Sequence, residues 1–259
     1  MTGQLVESIG TAAREKYAYS REHPARFTVR AAIAGFFIVV GALGSIVTSG
    51  TLLPEGAGWA RLLSALSFCA ALILIVLLGG ELFTGASFVM SIAAYDRRIG
   101  FLGVIRVLLL CYIGNFVGIF ILCGLIYLSG ASSQIILESL TRCLPAKLEP
   151  LWYQLFLKGA LCNFLVCIGV FSGFKLKSEG GKIVIICLVI ITFVLAGLEH
   201  SIANMAYFSL GAMYLPSADW LGMLKNLLWV TLGNMAGGAI LLGLPLWWAA
   251  ESEESPSKT

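Results

Sequence analysis

Read only for apolar and polar positions, the chain falls into six long apolar stretches. They lie at roughly 27–49, 61–96, 101–129, 150–173, 182–208 and 221–249, and a membrane-crossing helix needs about 20 mostly apolar residues. The second and fifth exceed one straight span, and a polar island interrupts each. One island is Gly79-Gly80-Glu81-Leu82-Phe83-Thr84-Gly85; the other is Gly197-Leu198-Glu199-His200-Ser201-Ile202-Ala203-Asn204. Ionisable groups at that depth are costly and are seldom placed there without a use. Backbone that unwinds inside a bilayer must face protein or a water-lined path, never lipid. The pattern predicts an all-α membrane protein whose broken second and fifth helices line a permeation pathway.

The two breaks belong to a longer self-similarity. Asn115, in Gly114-Asn115-Phe116-Val117-Gly118, follows Glu81 by 34 residues; Asn234, in Gly233-Asn234-Met235-Ala236-Gly237, follows Glu199 by 35. Each half reads as a span, a broken span with an acidic residue, then a span carrying the G-N-x-x-G pattern. Three spans is an odd number, so the halves must cross the membrane in opposite senses. An inverted 3+3 repeat places its substrate path at the repeat interface near the midplane. The G-x-x-x-G pairs are assigned to close helix packing rather than to substrate contact.

Composition agrees: 59% of the 259 residues are hydrophobic and 12% charged, with a mean hydropathy of +0.92, against about 25% charged in soluble domains. The net charge of +3 and the lack of a basic stripe or zinc-type spacing give no reason to expect nucleic acid. The seven cysteines form no C-x-x-C pair, and they read as small buried hydrophobes without structural disulfides. No cofactor is expected, and paired histidines, nucleotide loops and nucleophile triads that would suggest a membrane enzyme are missing.

The first 26 residues read as a polar cytoplasmic arm without a cleavable leader, residues 27–249 as the channel domain, and residues 250–259 as an acidic cytoplasmic tail. Lys and Arg gather in the arm (Arg14, Lys16, Arg21, Arg26), after the second stretch (Arg97, Arg98, Arg106) and after the fourth (Lys175, Lys177, Lys182). The alternate loops hold only Arg61, Arg142, Lys147 and Lys225. The positive-inside rule then puts both termini in the cytoplasm, as in a prokaryotic inner membrane.

The stretches GGELFTG at 79–85, KGALCN at 158–163, LEHSIANM at 198–205 and NLLWVTLGN at 226–234 resemble the formate/nitrite transporter family. The resemblance runs from about 27 to 249. It implies an aquaporin-like fold, a homopentamer with one pore per protomer, and transport of small monovalent weak-acid anions. The KGALCN and NLLWVTLGN stretches resemble the nitrite and hydrosulfide branches more than the formate branch, and Leu198 stands where formate channels typically carry an aromatic residue. Formate is the runner-up substrate. A neutral-solute or water pore is the alternative from a different class.

The same resemblance sets His200 mid-pore, opposite Thr84. An imidazole can donate a hydrogen bond to an anion or give up a proton near working pH, and a Thr hydroxyl can donate or accept. The plainer readings are a satisfied core histidine and a helix N-cap. Glu81 and Glu199 are assigned a structural role, accepting hydrogen bonds from break amides and fixing the imidazole, with proton transfer from Glu199 as the alternative. Lys147 and Asn163 stand at the family's spacing for a pore-side lysine and asparagine: Lys147 supplies positive potential or is an ordinary loop lysine, and Asn163 orients it or meets substrate. Lys158 is expected to snorkel toward headgroups. Asn204 completes the polar set, with Asn115 and Asn234 as structural polar residues. Phe68, Leu72, Leu82, Phe83 and Phe193 match positions that form two apolar constrictions in the family.

Overall fold

The computed structural model describes residues 3–251. The elements are α1 (Gly3–Glu22), α2 (Pro24–Leu52), α3 (Ala57–Leu78), α4 (Phe83–Tyr95), α5 (Phe101–Ser129), α6 (Ser133–Leu148), α7 (Trp152–Lys175), α8 (Glu179–Leu195), α9 (Ser201–Tyr214) and α10 (Trp220–Ala236). A seven-residue π-helical stretch, Gly237–Gly243, joins α10 to α11 (Leu244–Glu251). The second span is α3 plus α4 and the fifth is α8 plus α9. The last span continues through α11, Trp220–Ala250 forming one apolar run of 31 residues. Six spans thus cross in an inverted 3+3 arrangement. The tail residues Glu253 and Glu254 lie outside the described residues.

Both breaks start at a glycine in the left-handed region, Gly79 at φ 83° and Gly197 at φ 66°. A Cβ would meet nothing within 4 Å at either, so backbone conformation, not space, selects glycine there. Three buried or half-buried residues then run before the next helix, and their backbone groups need partners away from water. One asparagine serves each break. Asn115 donates to the carbonyls of Ala31 (2.8 Å) and Glu81 (2.9 Å) and accepts from the Phe83 amide (3.0 Å). Asn234 does the same for Gly159 (2.8 Å), Glu199 (3.0 Å) and the Ser201 amide (2.8 Å).

Helix pairs α2/α5 and α7/α10 hold these asparagines in place through small residues. A Cβ on Gly118 would strike the Ala32 carbonyl, and one on Gly237 the Ala160 carbonyl. Backbones that close need glycine at the contact. The π-helical stretch lies beside the same contact: a Cβ on Gly238 would sit 2.8 Å from Asn163 Nδ2, and Tyr95 donates to the Ala239 carbonyl at 3.0 Å.

The register matching Gly79 to Gly197 also matches Cys69 to Cys187, each ten residues before its break glycine. The register matching Asn115 to Asn234 matches Tyr112 to Thr231, three residues before each. Both matched pairs touch: Cys69 Sγ lies 3.8 Å from the Cys187 carbonyl, and the Tyr112 and Thr231 hydroxyls are 3.1 Å apart. Residues exchanged by a twofold can touch each other only on its axis. The pseudo-twofold axis therefore runs from the α3/α8 crossing to the α5/α10 crossing, between the two breaks.

Among the described residues, two α-helices lie outside the six spans. α1 carries the polar arm, and α6 connects α5 to α7. Each stands just before the first span of its half, so the repeat extends to them.

Candidate functional site

Two open cavities flank a tight chamber. The α6-side cavity, about 280 Å³, includes Phe68, Lys147, Lys158, Phe193, Glu199 and His200 in its wall. The α1-side cavity, about 240 Å³, includes Lys16, Ile75, Gly80, Leu82 and Phe174. Between them lies a pocket of about 10 Å³ walled by Ile38, Phe68, Leu72, Leu82, Val166, Ile190, Phe193 and His200. Phe68, Phe193 and His200 are shared with the α6 side and Leu82 with the α1 side. The conduit thus runs from one vestibule, past a Phe68–Phe193 edge-to-face pair (5.9 Å between centroids), through the chamber and past Leu82 to the other.

His200 is the polar group on that apolar wall. It is the residue preceding α9, and its Nδ1 accepts the Ala203 amide at 3.1 Å. Nδ1 is thereby an acceptor, so in the neutral ring the proton sits on Nε2. Nε2–H points at Thr84 Oγ1, 2.9 Å away. Thr84 is fully buried behind the ring and does not cap α4, whose preceding residue is Leu82. The imidazole also stacks against Phe193 at 6.4 Å. Leu82 and His200 occupy corresponding positions in the two halves, so the chamber pairs an apolar wall with a donor.

Each glutamate of the breaks meets a lysine. Glu199 accepts from Lys147 Nζ (3.1 Å) and from Asn204 Nδ2 (2.6 Å), and Asn204 Oδ1 accepts from Lys147 (2.9 Å). Asn226 closes the cluster, accepting from Asn204 (2.8 Å) and donating to the Lys147 carbonyl (2.7 Å). Lys147 further sits 5.0 Å from the Tyr207 ring centre. In the other half Glu81 pairs with Lys16 of α1.

Several expectations change. Glu81 and Glu199 do not take break amides or fix the imidazole with their carboxylates; Asn115, Asn234 and the Ala203 amide do that, and lysines occupy the carboxylates. Asn163 does not touch Lys147. It is fully buried and donates to the carbonyls of Thr84 (3.2 Å) and Asn234 (2.6 Å) and to Ser87 Oγ (3.1 Å), tying the two halves together. Phe83 leaves the conduit. Its ring packs edge-on against Tyr112 at 5.0 Å and lines an outer apolar recess between α5 and α10. Adjacent residues at a helix start point in different directions, so Leu82 and Phe83 cannot both face the chamber. Lys158 lines the α6-side vestibule.

Lys16, Asn226 and Tyr207 escaped the sequence reading. The signal for Lys16 was available: an acidic residue in each break asks for a cation, and α1 is the counterpart of the helix that carries Lys147. Asn226 opens one of the motif stretches.

A family model described as Formate/nitrite transporter matches residues 3–248. The chain belongs to the formate/nitrite transporter family. The Nitrite transporter NirC of Escherichia coli (strain K12) is 33% identical to it over 241 residues, covering 92% of this chain and 88% of NirC. A solved structure titled FNT family ion channel superposes with a TM-score of 0.87 at 30% identity, covering 95% of this chain and 98% of that one. Another, titled Pentameric formate channel with formate bound, gives 0.76 at 26% identity and covers 89% and 98%. This member of the formate/nitrite transporter family is a multi-pass membrane protein, and its matched structures are channels.

Proposed function

We propose that the chain conducts small monovalent anions of weak acids, nitrite or hydrosulfide before formate, through one conduit per protomer of a homopentamer. Both termini face the cytoplasm of a prokaryotic inner membrane, so the α1-side vestibule is cytoplasmic. The observation that carries this reading is the Nε2–H of His200, held by Thr84 in the wall of an apolar chamber between two lysine-bearing vestibules. The NirC relationship favours nitrite, and the pentameric formate channel supports both the assembly and the anion class.

The physics runs in three steps. A lysine at each mouth pairs with the break glutamate, so an entering anion does not face a bare carboxylate. α4 and α9 both begin at the breaks, so their positive dipole ends face the midplane and favour negative charge there. The chamber, at about 10 Å³, is close to the smallest space a single water needs, about 10–15 Å³. A hydrated ion therefore cannot pass without shedding its shell, which is expensive for a full charge. The chamber must widen, and the passing species is either a stripped anion or its neutral acid. His200 offers that species one donor, in competition with Thr84.

A proton shuttle through His200 faces a geometric cost. Releasing Nε2–H from the neutral ring leaves an imidazolate. Avoiding that requires prior protonation at Nδ1, which breaks the Ala203 bond at the start of α9. Donation without net transfer leaves that bond intact, and the proton of a neutral acid then comes from water at the vestibule.

The test is anion flux in proteoliposomes with nitrite, hydrosulfide and formate across pH, alongside His200→Asn. Saturable anion flux in the wild type that the variant lowers by tenfold or more supports the reading. An unaltered pH profile in the variant favours donation over shuttling. Glycerol permeation without any anion flux overturns the reading in favour of a neutral-solute pore.

A further inference from the structure

Both vestibules carry a lysine, but neither of those lysines carries a free charge. Lys147 is compensated by Glu199, and Lys16 by Glu81. At any distance beyond the pair itself the two charges largely cancel, so neither pair alone makes its vestibule electropositive. Lys158 is different. It lines the α6-side vestibule together with Lys147 and Glu199. Among the described residues no carboxylate lies within ion-pair distance of its ammonium. Its place is fixed, because its carbonyl accepts the Glu199 amide at 3.4 Å.

The corresponding residue of the first half is Arg30, whose carbonyl accepts the Glu81 amide, also at 3.4 Å. Arg30 does not line the α1-side vestibule; its guanidinium lies 4.3 Å over the Tyr19 ring. Among the described lining residues of that vestibule the cation is Lys16, already paired. The two mouths thus differ: two lysines against one glutamate on the α6 side, one lysine against one glutamate on the α1 side.

Taking the anion-conducting reading as its basis, we propose that Lys158, not Lys147, supplies the net positive potential of the α6-side vestibule and is the residue that captures a monovalent anion there. Lys147 orders the cluster of Glu199, Asn204 and Asn226 that shapes the break. The conduit is then asymmetric in capture: a dilute anion enters more readily from the α6 side, without any coupled energy source altering its equilibrium distribution.

Cys143 gives a direct reporter. It stands one turn before Lys147 on α6, is half-buried and lines the same vestibule. The purified full-length protein is labelled with an anionic methanethiosulfonate (sulfonatoethyl) and a cationic one (trimethylammonioethyl), and modification of the Cys143 peptide is timed by mass spectrometry. The anionic-to-cationic rate ratio is expected to fall about fivefold in Lys158→Gln at low ionic strength, the order a single uncompensated charge gives across a solvated vestibule. Lys158→Arg should keep the wild-type ratio, which guards against a folding artefact. Lys147→Gln/Glu199→Gln, which removes both members of the pair, should leave it within about twofold of the wild type. An unchanged ratio in Lys158→Gln overturns the proposal, as does a ratio that collapses in the double variant while Lys158→Gln has no effect. In parallel, the half-saturating concentration for nitrite and formate presented on the α6 side should rise about fivefold in Lys158→Gln. A wild-type protein that carries neither anion sinks the conducting reading itself, and the labelling ratio then decides the vestibule potential on its own.

Discussion

At the scale of single residues, the centre of the conduit rests on one hydrogen bond with a defined direction. Nδ1 of His200 is spent on Ala203, so Nε2–H is what the ring can offer, and Thr84 Oγ1 is its acceptor. Thr84→Val keeps the shape and removes the acceptor, leaving the buried donor without its partner. Losing one such bond is worth about 1–1.5 kcal/mol, so flux of the preferred anion should change by roughly tenfold, while Thr84→Ser retains it. Initial-rate flux in proteoliposomes checks this, and equal rates in Thr84→Val and wild type would show that the pair does not control passage. His200 stood out in the sequence because a histidine in an intramembrane break has few structural excuses, whereas Thr84 opposite it was expected only from the family resemblance. The partners of Glu81 and Glu199 were not. A carboxylate beside break amides suggests capping, and only the fold shows that asparagines reach the amides first.

At the scale of elements, each half is a lever clamped by one asparagine. Asn115 and Asn234 each make three buried bonds to a break and to the adjacent span. Asn234→Leu strands the Ser201 amide and two carbonyls; with each orphaned buried group costing about 1–3 kcal/mol, a loss of about 3 kcal/mol or more is expected. Asn115→Leu should behave alike, because the two clamps match bond for bond. Unfolding in detergent by denaturant measures both, and a large difference between them would contradict the repeat. The broken helices and the repeat could be read from the spacing of Glu81, Asn115, Glu199 and Asn234. The fate of α1 could not. Its sequence reads as a polar arm, yet it packs on the α4 side of the molecule, with Lys16 on Glu81, Arg106 donating to the Ser20 carbonyl at 3.0 Å, and Arg98 on Glu7. Beneath those polar contacts α1 also buries Val6, Ile9, Gly10 and Ala13 along one face, a stripe at helical spacing that is short and flanked by enough charge to read as part of the polar arm.

That docking has a pH dependence outside the membrane. The Arg98 guanidinium beside Glu7 holds its carboxyl below the ordinary value of 4.5. A group whose pKa is lower when docked contributes stability above its undocked pKa and loses it as pH falls through the docked one. The end of α1 should therefore stay attached at neutral pH and loosen only under acid conditions, below the ordinary carboxylate value. Glu7 is exposed, so the effect is modest and screened by salt. Limited proteolysis near residues 3–10 across pH, in wild type and Glu7→Gln, reads it: Glu7→Gln should be cut equally at all pH values, whereas the wild type should become susceptible only in acid.

At the scale of the whole molecule, symmetry and its violation divide the labour. The pseudo-twofold through Cys69/Cys187 and Tyr112/Thr231 makes the two breaks meet, and the break glycine, glutamate and asparagine, the small-residue contacts and a lysine from the helix before each half's first span obey it. The departures include groups that a permeating species would encounter, His200 against Leu82 in the chamber and Lys158 against Arg30 at the mouths. An inverted repeat forces opposite crossings on its halves, and the last span of one half must return to the side where the first span of the chain began. The termini therefore share a face, and the basic residues Arg97, Arg98, Arg106, Lys175, Lys177 and Lys182 gather on that face with them. Reporters fused at either end should give the same sidedness, cytoplasmic for both. The outer faces of α5 and α10 expose Leu109, Ile113, Phe120, Leu224, Leu228 and Leu232, as helices do that meet lipid or a neighbouring subunit. With a chain of 27.7 kDa, native mass spectrometry from mild detergent should find the mass of five chains, and a lone protomer that still conducts would separate the conduit from the assembly.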